Sequence, residues 1–263
     1  MDAILQARMS ASRLPGKVLV PVLGRPILSH NIERIRRAKT IDRVIVATTD
    51  KREDDAIQRL CETEGVPVFR GSEEDVLDRT YRCMKHFGME HGAKLTADNP
   101  LIDPAVIDQV VGFYLAHSKE YDYVSNNHPP TWQDGQEVEV FSVAALETTW
   151  REAKELFQRE HVTPFIWDQP ERFRIGNVAR ADDRWYRDYR WTLDYPEDYA
   201  FVKAVFEEHS PAKSDFTTDD VMELLKRRPD IHAINANRAG YVWYREHLDA
   251  LRTVAGSGHL KQG

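Results

Sequence analysis

The chain has 263 residues, 30% of them charged and 41% hydrophobic, with a formal net charge of -7. That balance is the composition of a soluble globular protein with a core of its own, and it excludes a protein that tracks a nucleic-acid backbone, which needs clustered cations. No apolar run is long enough to span a bilayer, and Met1-Asp2-Ala3-Ile4-Leu5 has neither the basic lead nor the apolar length of a signal peptide, so a cytoplasmic protein without membrane contact is expected.

Ala3-Ile4-Leu5 opens the chain as a short apolar strand. Ile27, Leu28, Ile32 and Ile35 then mark a helical stripe, and Arg43-Val44-Ile45-Val46-Ala47-Thr48 is a β-branched strand. Ala56, Ile57 and Leu60 give a second helix, Val66-Pro67-Val68-Phe69 a third strand, and Val76, Leu77, Tyr81 and Met84 a third helix. Ala93-Lys94-Leu95-Thr96 is the next strand. Val106, Ile107, Val110, Val111 and Tyr114 mark a helix opened by Asp103-Pro104, and Tyr123-Val124-Ser125 is the strand after it. Cys61 and Cys83 fall within helical patterns and show no metal-ligand spacing, so both read as small buried hydrophobes.

The second half is less regular. Glu137-Val138-Glu139-Val140-Phe141 alternates as a half-buried strand does, helices follow near 143–153 and 160–167, and Phe173 to Val178 reads as a strand. Helices are expected over 196–208, 219–227 and 241–252. One domain over 1–252 is the economical division, with a regular half at about 1–125, an elaborated half at about 126–252 and a frayed, disordered tail over 253–263. The alternation of strand and helix implies an α/β domain with a mainly parallel central sheet flanked by helices, Rossmann-like in kind. Ligands of such sheets bind beyond the carboxyl ends of the strands, which directs attention to the loops there.

The loop after the first strand, Gln6 to Lys17, carries Arg8, Arg13 and Lys17 with two serines and Gly16 in an otherwise acidic chain. Cations, hydroxyls and backbone N–H groups together suit a triphosphate, although the same composition describes a solvated basic loop. The spacing is neither that of a Walker loop nor that of a dinucleotide fingerprint. Asp98 follows a strand, and Asp194 precedes Tyr195-Pro196. Two aspartates near a triphosphate satisfy magnesium, which takes few carboxylates and fills its octahedron with phosphate oxygens and water. Each is equally a residue type that favours turns and helix starts. Asp75, Asp103, Glu197 and Asp198 read as caps or first-turn acids.

The segment Ala7-Arg8 through Ser12-Arg13-Leu14-Pro15-Gly16-Lys17 resembles the signature of the sugar cytidylyltransferases, a family that includes the CMP-Kdo synthetases, the acylneuraminate cytidylyltransferases and the spore-coat-polysaccharide-type enzymes, the last being most similar. Further matching segments lie in order along the chain: Arg70 to Arg79, Asp98 to Pro104, Asp134 to Phe141, Arg159 to Pro164 and Arg190 to Asp198. The resemblance implies the nucleotide-diphosphosugar-transferase fold. It also implies a transferase that uses CTP and Mg2+ to activate a sugar acid or sugar-like acceptor as a CMP-linked product, releasing pyrophosphate, for cell-surface polysaccharide. A phosphorylated acceptor giving a CDP-linked product, or a non-catalytic nucleotide-binding protein, are the alternatives.

Carried over to matching positions, Arg8 and Lys17 bind the phosphates of CTP with help from Arg13, Gln6 and Ala7 lie against the base, and Arg70-Gly71-Ser72 pack by the ribose and cytosine. Asp98 and Asp194 are implied metal ligands, and Arg8, Lys17 and Asp98 carry catalysis. Ala97 departs from the glycine usual before the first aspartate. Gln136, Glu137, Glu139, Arg159 and His161 are the acceptor-side candidates. Glu137 and Glu139 share one strand face, which either meets the cleft or is solvated. Relatives of this kind commonly form homodimers, and no residue here marks such a surface.

Overall fold

The computed structural model describes residues 1–182, 184–209, 215–240, 247 and 250–253. The first half holds β1 (Asp2–Gln6), a small hairpin of β2 (Pro21–Val22) and β3 (Arg25–Pro26), α1 (Ile27–Arg36), β4 (Arg43–Thr49), α2 (Asp55–Thr63) and β5 (Val68–Gly71). It continues with α3 (Val76–His86), β6 (His91–Thr96), α4 (Pro104–Ala116) and β7 (Tyr123–Ser125). The second half holds β8 (Glu139–Ser142), α5 (Val143–Glu152), α6 (Leu156–His161), α7 (Pro164–Trp167), β9 (Ile175–Asn177), α8 (Trp185–Asp188), α9 (Pro196–His209), α10 (Thr218–Arg227) and α11 (Pro229–His232).

Seven strands form one sheet in the order β5-β4-β1-β6-β8-β7-β9. β5, β4, β1 and β6 run parallel, β8 is antiparallel to both β6 and β7, and β9 is parallel to β7. The mainly parallel sheet expected from the alternation is present, with one reversed strand inside it. Side chains alternate across it: Ala3 and Leu5 of β1 join Leu28, Ile32, Val110 and Tyr114 on one face, while Ile4 joins Leu77, Met84 and Leu146 on the other. Burial on both faces explains why these strands read as continuous apolar runs. A third cluster, with Trp191, Leu193, Phe201 and Phe216, packs α9 and α10 beside the hairpin.

Several boundaries moved for local reasons. The third strand starts two residues later than expected, because Pro67 lacks a ladder donor. The helix expected over 160–167 is two short helices, broken at Val162, whose φ of 75° lies in the left-handed region, and restarted at Pro164. The helix expected over 241–252 lies mostly outside the described residues, as does the tail from 254; Thr253 is described and is bound to Asp168. Asp75 and Asp103 cap α3 and α4 as expected. Asp198 does more than cap: it is fully buried and paired with Arg190. Cys61 and Cys83 are buried, and burial pushes both thiols up to about 12, as inert core cysteines require. Among the described residues, no helix is long and apolar enough to cross a membrane.

Candidate active site

The carboxyl ends of β1 and β6 open onto a cavity of about 430 Å³. Gln6, Ala7, Arg8, Arg13 and Lys17 line it from the β1 side, and Asp98 lines it from the loop after β6. Gly16 takes a φ of 72°, and the backbone turns there into a helical turn that places Lys17 inward.

Lys17 joins the two aspartates. Its Nζ donates to Asp98 Oδ2 at 2.9 Å and to Asp194 Oδ1 at 2.5 Å. Arg13 Nη2 donates to Asp194 Oδ2 at 3.3 Å, and Arg190 Nη2 lies 3.4 Å from the same oxygen. Burial would lower the Lys17 pKa and raise that of Asp194, but the facing charges outweigh it: Asp98 and Asp194 raise Lys17, while Lys17, Arg13 and Arg190 hold Asp194 below its ordinary range.

This arrangement also tests whether a divalent cation fits. Two carboxylates from distant segments converge on a single positive charge, so the ammonium stands where a shared cation would sit. Among the described residues, no group of three or more His, Cys, Asp or Glu is arranged to cage a metal alone. A site of two carboxylates completed by phosphate oxygens and water is the arrangement magnesium accepts.

Behind Asp194 lies a buried network. Arg190 Nε and Nη2 donate to the two oxygens of Asp198, and its Nη1 donates to Asp134 Oδ2 at 2.7 Å. Asp198 Oδ2 also accepts the backbone N–H groups of Asp194 and Tyr195, each at 3.0 Å, so it fixes the loop that carries the Asp194 carboxylate. Burial and the neighbouring Glu137 push the Asp134 carboxyl up against the pull of Arg190.

Glu137 and Glu139 both meet the cavity. Glu137 accepts from Asn99 Nδ2 at 2.6 Å and from the Gly135 N–H. Glu139 pairs with Lys94 and accepts from the Tyr123 and Thr163 hydroxyls. His161 also lines the cavity, and burial pushes its imidazole down to about 4, so it is neutral at pH 7.

Five expected site residues sit elsewhere. Arg70 turns back to Thr49 O, Asp55, Gln58 and Lys51 O, where it ties β5 to α2, and Gly71 and Ser72 lie with it outside the cavity lining. The Ser72 carbonyl instead accepts from Arg79 Nη1 at 2.7 Å, and it is Arg79, lowered to about 10 by burial and by Arg8, that reaches the cavity. Gln136 is fully buried between Asp103 N and Leu101 O, a brace for the loop after β6. Arg159 pairs with Asp75 at the start of α3 and donates to Trp150 O and Ala153 O. Arg79, Lys94, Arg190 and His247 line the cavity without having been singled out; Arg79 and Arg190 fall inside family-like segments, and His247 carried no signal.

The model of the cytidylyltransferase family matches residues 3–235. An uncharacterized protein of Methanocaldococcus jannaschii is 38% identical over 234 residues, covering 89% of this chain and 93% of that protein. The spore coat polysaccharide biosynthesis protein SpsF of Bacillus subtilis is 32% identical over 237 residues, covering 86% of this chain and 94% of SpsF. Among solved structures, a cytidylyltransferase from Leptospira borgpetersenii serovar Hardjo-bovis superposes with a TM-score of 0.83 at 30% identity, covering 91% of this chain and 98% of that one. A match of this extent, over a cavity where the cationic loop meets both aspartates, places the chain in the cytidylyltransferase family.

Proposed function

We propose that the protein transfers the cytidylyl group of CTP to a hydroxyl of an acidic sugar or sugar-like acceptor, leaving a CMP-linked product and pyrophosphate, with magnesium as its metal. The observation that carries this reading is the Asp98–Lys17–Asp194 bridge beside Arg8 and Arg13 in one cavity. The nucleotide is assigned to the half formed by residues 1–125, and the acceptor to the half formed by 126–252.

Asp98 and Asp194 are the residues that would hold magnesium, which when bound offsets phosphate charge and eases ionisation of an acceptor hydroxyl. Lys17 and Arg8 would counter the charge of the triphosphate. Arg13 does the same from the rim, and Gln6 and Ala7 flank the base. The acceptor hydroxyl gives up its proton to solvent, its oxygen forms a bond to the α-phosphorus, the bond from that phosphorus to the bridging oxygen breaks, and the electron pair leaves on pyrophosphate. Catalysis is therefore chiefly positioning and electrostatic stabilisation. Asp134, Glu137, Glu139 and Glu160 line the acceptor side together with His161 and Thr163. The name of the Bacillus subtilis relative supports a place in supplying activated sugar for surface polysaccharide.

The test is pyrophosphate release from CTP and Mg2+ across a panel of sugar acids, including 3-deoxy-manno-octulosonate, set against sugar phosphates. Turnover on sugar acids that disappears in Asp98→Ala is expected. Undiminished activity in that variant would remove Asp98 from its role, and turnover confined to sugar phosphates would move the product to the CDP-linked class.

A further inference from the structure

The family match ends at residue 235, yet the chain returns to the cavity after it. His247 lines the acceptor side, its ring centroid 5.6 Å from that of His161 and 5.3 Å from that of Phe157. Residues 251–253 are anchored. Leu251 is 3% exposed and joins the cluster that holds Val162, Phe165, Ile166 and Trp167. The buried Asp168 carboxylate accepts from the Arg252 N–H at 2.9 Å, the Thr253 N–H at 2.7 Å and the Thr253 hydroxyl at 2.8 Å. Arg252 also pairs with Glu171 at 3.0 Å. Residues 251–253 are thus fastened beside the same two short helices whose junction, strained at Val162, turns His161 and Thr163 into the cavity.

We infer that His247, delivered by the C-terminal segment, is a recognition residue for the acceptor. With His161 and Thr163 it forms a wall of imidazole and hydroxyl groups that takes the hydroxyls of a polyhydroxylated, unphosphorylated acceptor chain. Asp168 is a positioning residue, holding the segment so that His247 faces His161. Imidazole and hydroxyl groups both donate and accept hydrogen bonds, which matches vicinal hydroxyls. Glu139 and Glu160 beside this wall already face cations, Lys94 and Arg8, and the neutral His161 offers no charge to an anionic group. Because the segment lies outside the family match, it is a place where acceptor choice can differ between relatives that share the CTP machinery. This inference rests on the cytidylyl-transfer reading.

The experiment uses the full chain and the panel acceptor with the highest turnover. His247→Ala is expected to raise the acceptor KM about tenfold, the loss of one well-placed hydrogen bond to substrate, while kcat stays within about threefold. CTP affinity, measured by calorimetry with Mg2+, stays within about twofold of wild type. His247→Gln, which keeps a donor and an acceptor, recovers most of the loss. Asp168→Ala reproduces the KM effect with unchanged CTP affinity, and its melting curve confirms that it folds. An unchanged acceptor KM in His247→Ala, or CTP binding weakened in step with it, overturns the inference. A wild-type protein that binds CTP but turns over no acceptor defeats the underlying reaction, and the inference falls with it.

Discussion

Asp98 and Asp194, supplied by segments far apart in the sequence, face each other across the ammonium of Lys17. The chain thereby carries its own counter-ion at the position a metal would take. Entry of a divalent ion must move Lys17, and a triphosphate offers the ammonium somewhere to go. Metal binding is therefore expected to be weak without nucleotide and strong with it.

Lys17→Met separates these roles. Free manganese measured by electron paramagnetic resonance should show the variant binding the ion at least about tenfold more tightly than wild type when no nucleotide is present, since two carboxylates lose their internal partner. Turnover should fall about 10² to 10³-fold, the scale of losing one electrostatic stabiliser of the transition state. Equal manganese affinity in the two proteins would show that Lys17 does not compete for the site.

Asp198→Asn should damage the same site from behind. Asp198 is fully buried, accepts two bonds from Arg190 and fixes the backbone of Asp194 and Tyr195. Removing its charge leaves the Arg190 guanidinium with fewer buried partners, a loss on the order of 3 kcal/mol. Denaturant unfolding should report it as a lower midpoint at constant slope. Metal affinity in the presence of CTP should also weaken, because the Asp194 loop is released. Retention of full stability would mean that Asp134 and Asp194 together satisfy Arg190.

The sheet was legible because β1, β4 and β6 are short apolar runs separated by helical stripes, a local signal that burial on both faces produces. Asp98 and the β1 loop were legible for the related reason that strand ends bear ligands. Arg70 was expected just after a strand, whereas it lies inside β5, whose side chains leave the faces of the sheet rather than its end. Its guanidinium reaches α2, while Arg79, one turn into α3, reaches the cavity in its place. Gln136 and Arg159 were polar residues in family-like segments, and the structure uses them as braces for buried backbone, which no spacing distinguishes from ligand contact. The place of His247 at the cavity was unreadable because it is reached only through contacts between segments remote in the chain, such as Asp168 with Arg252 and Thr253.

Gly135→Ala tests how tightly the two halves of the site are fitted. Gly135 has a φ of 110°, and an added Cβ would stand 2.6 Å from the Trp191 carbonyl carbon and 2.9 Å from the Thr192 nitrogen. Both are backbone atoms of the strand-like segment leading to Asp194, so neither can swing aside. Strain of that kind costs on the order of 1–3 kcal/mol, and the displaced segment carries Arg190 and Asp194 with it. A melting temperature lowered by several degrees, together with reduced activity, is expected. An unchanged melting curve would show that the Asp134–Arg190 contact is looser than the geometry implies.

Two partly buried histidines predict how stability responds to acid. Burial pushes both His128 and His161 down to about 4, whereas an unfolded chain protonates histidine near 6.5. The unfolded state therefore binds more protons between those values, so the stabilisation these groups support is complete above about pH 6.5, falls as pH drops, and levels off below about 4. Each contributes a slope of up to about 1.4 kcal/mol per pH unit within that window. Asp134, whose carboxyl is raised by burial, acts with the opposite sign, so a single curve does not isolate the histidines. Comparison with His128→Phe does: the aromatic keeps the stacking on Trp167, which sits 3.9 Å from the His128 ring, and removes one titrating group. Urea midpoints measured from pH 7 to pH 4.5 should fall less steeply for the variant, by about one proton's worth. Parallel curves for the two proteins would show that His128 gains a proton as readily in the folded chain as in the unfolded one.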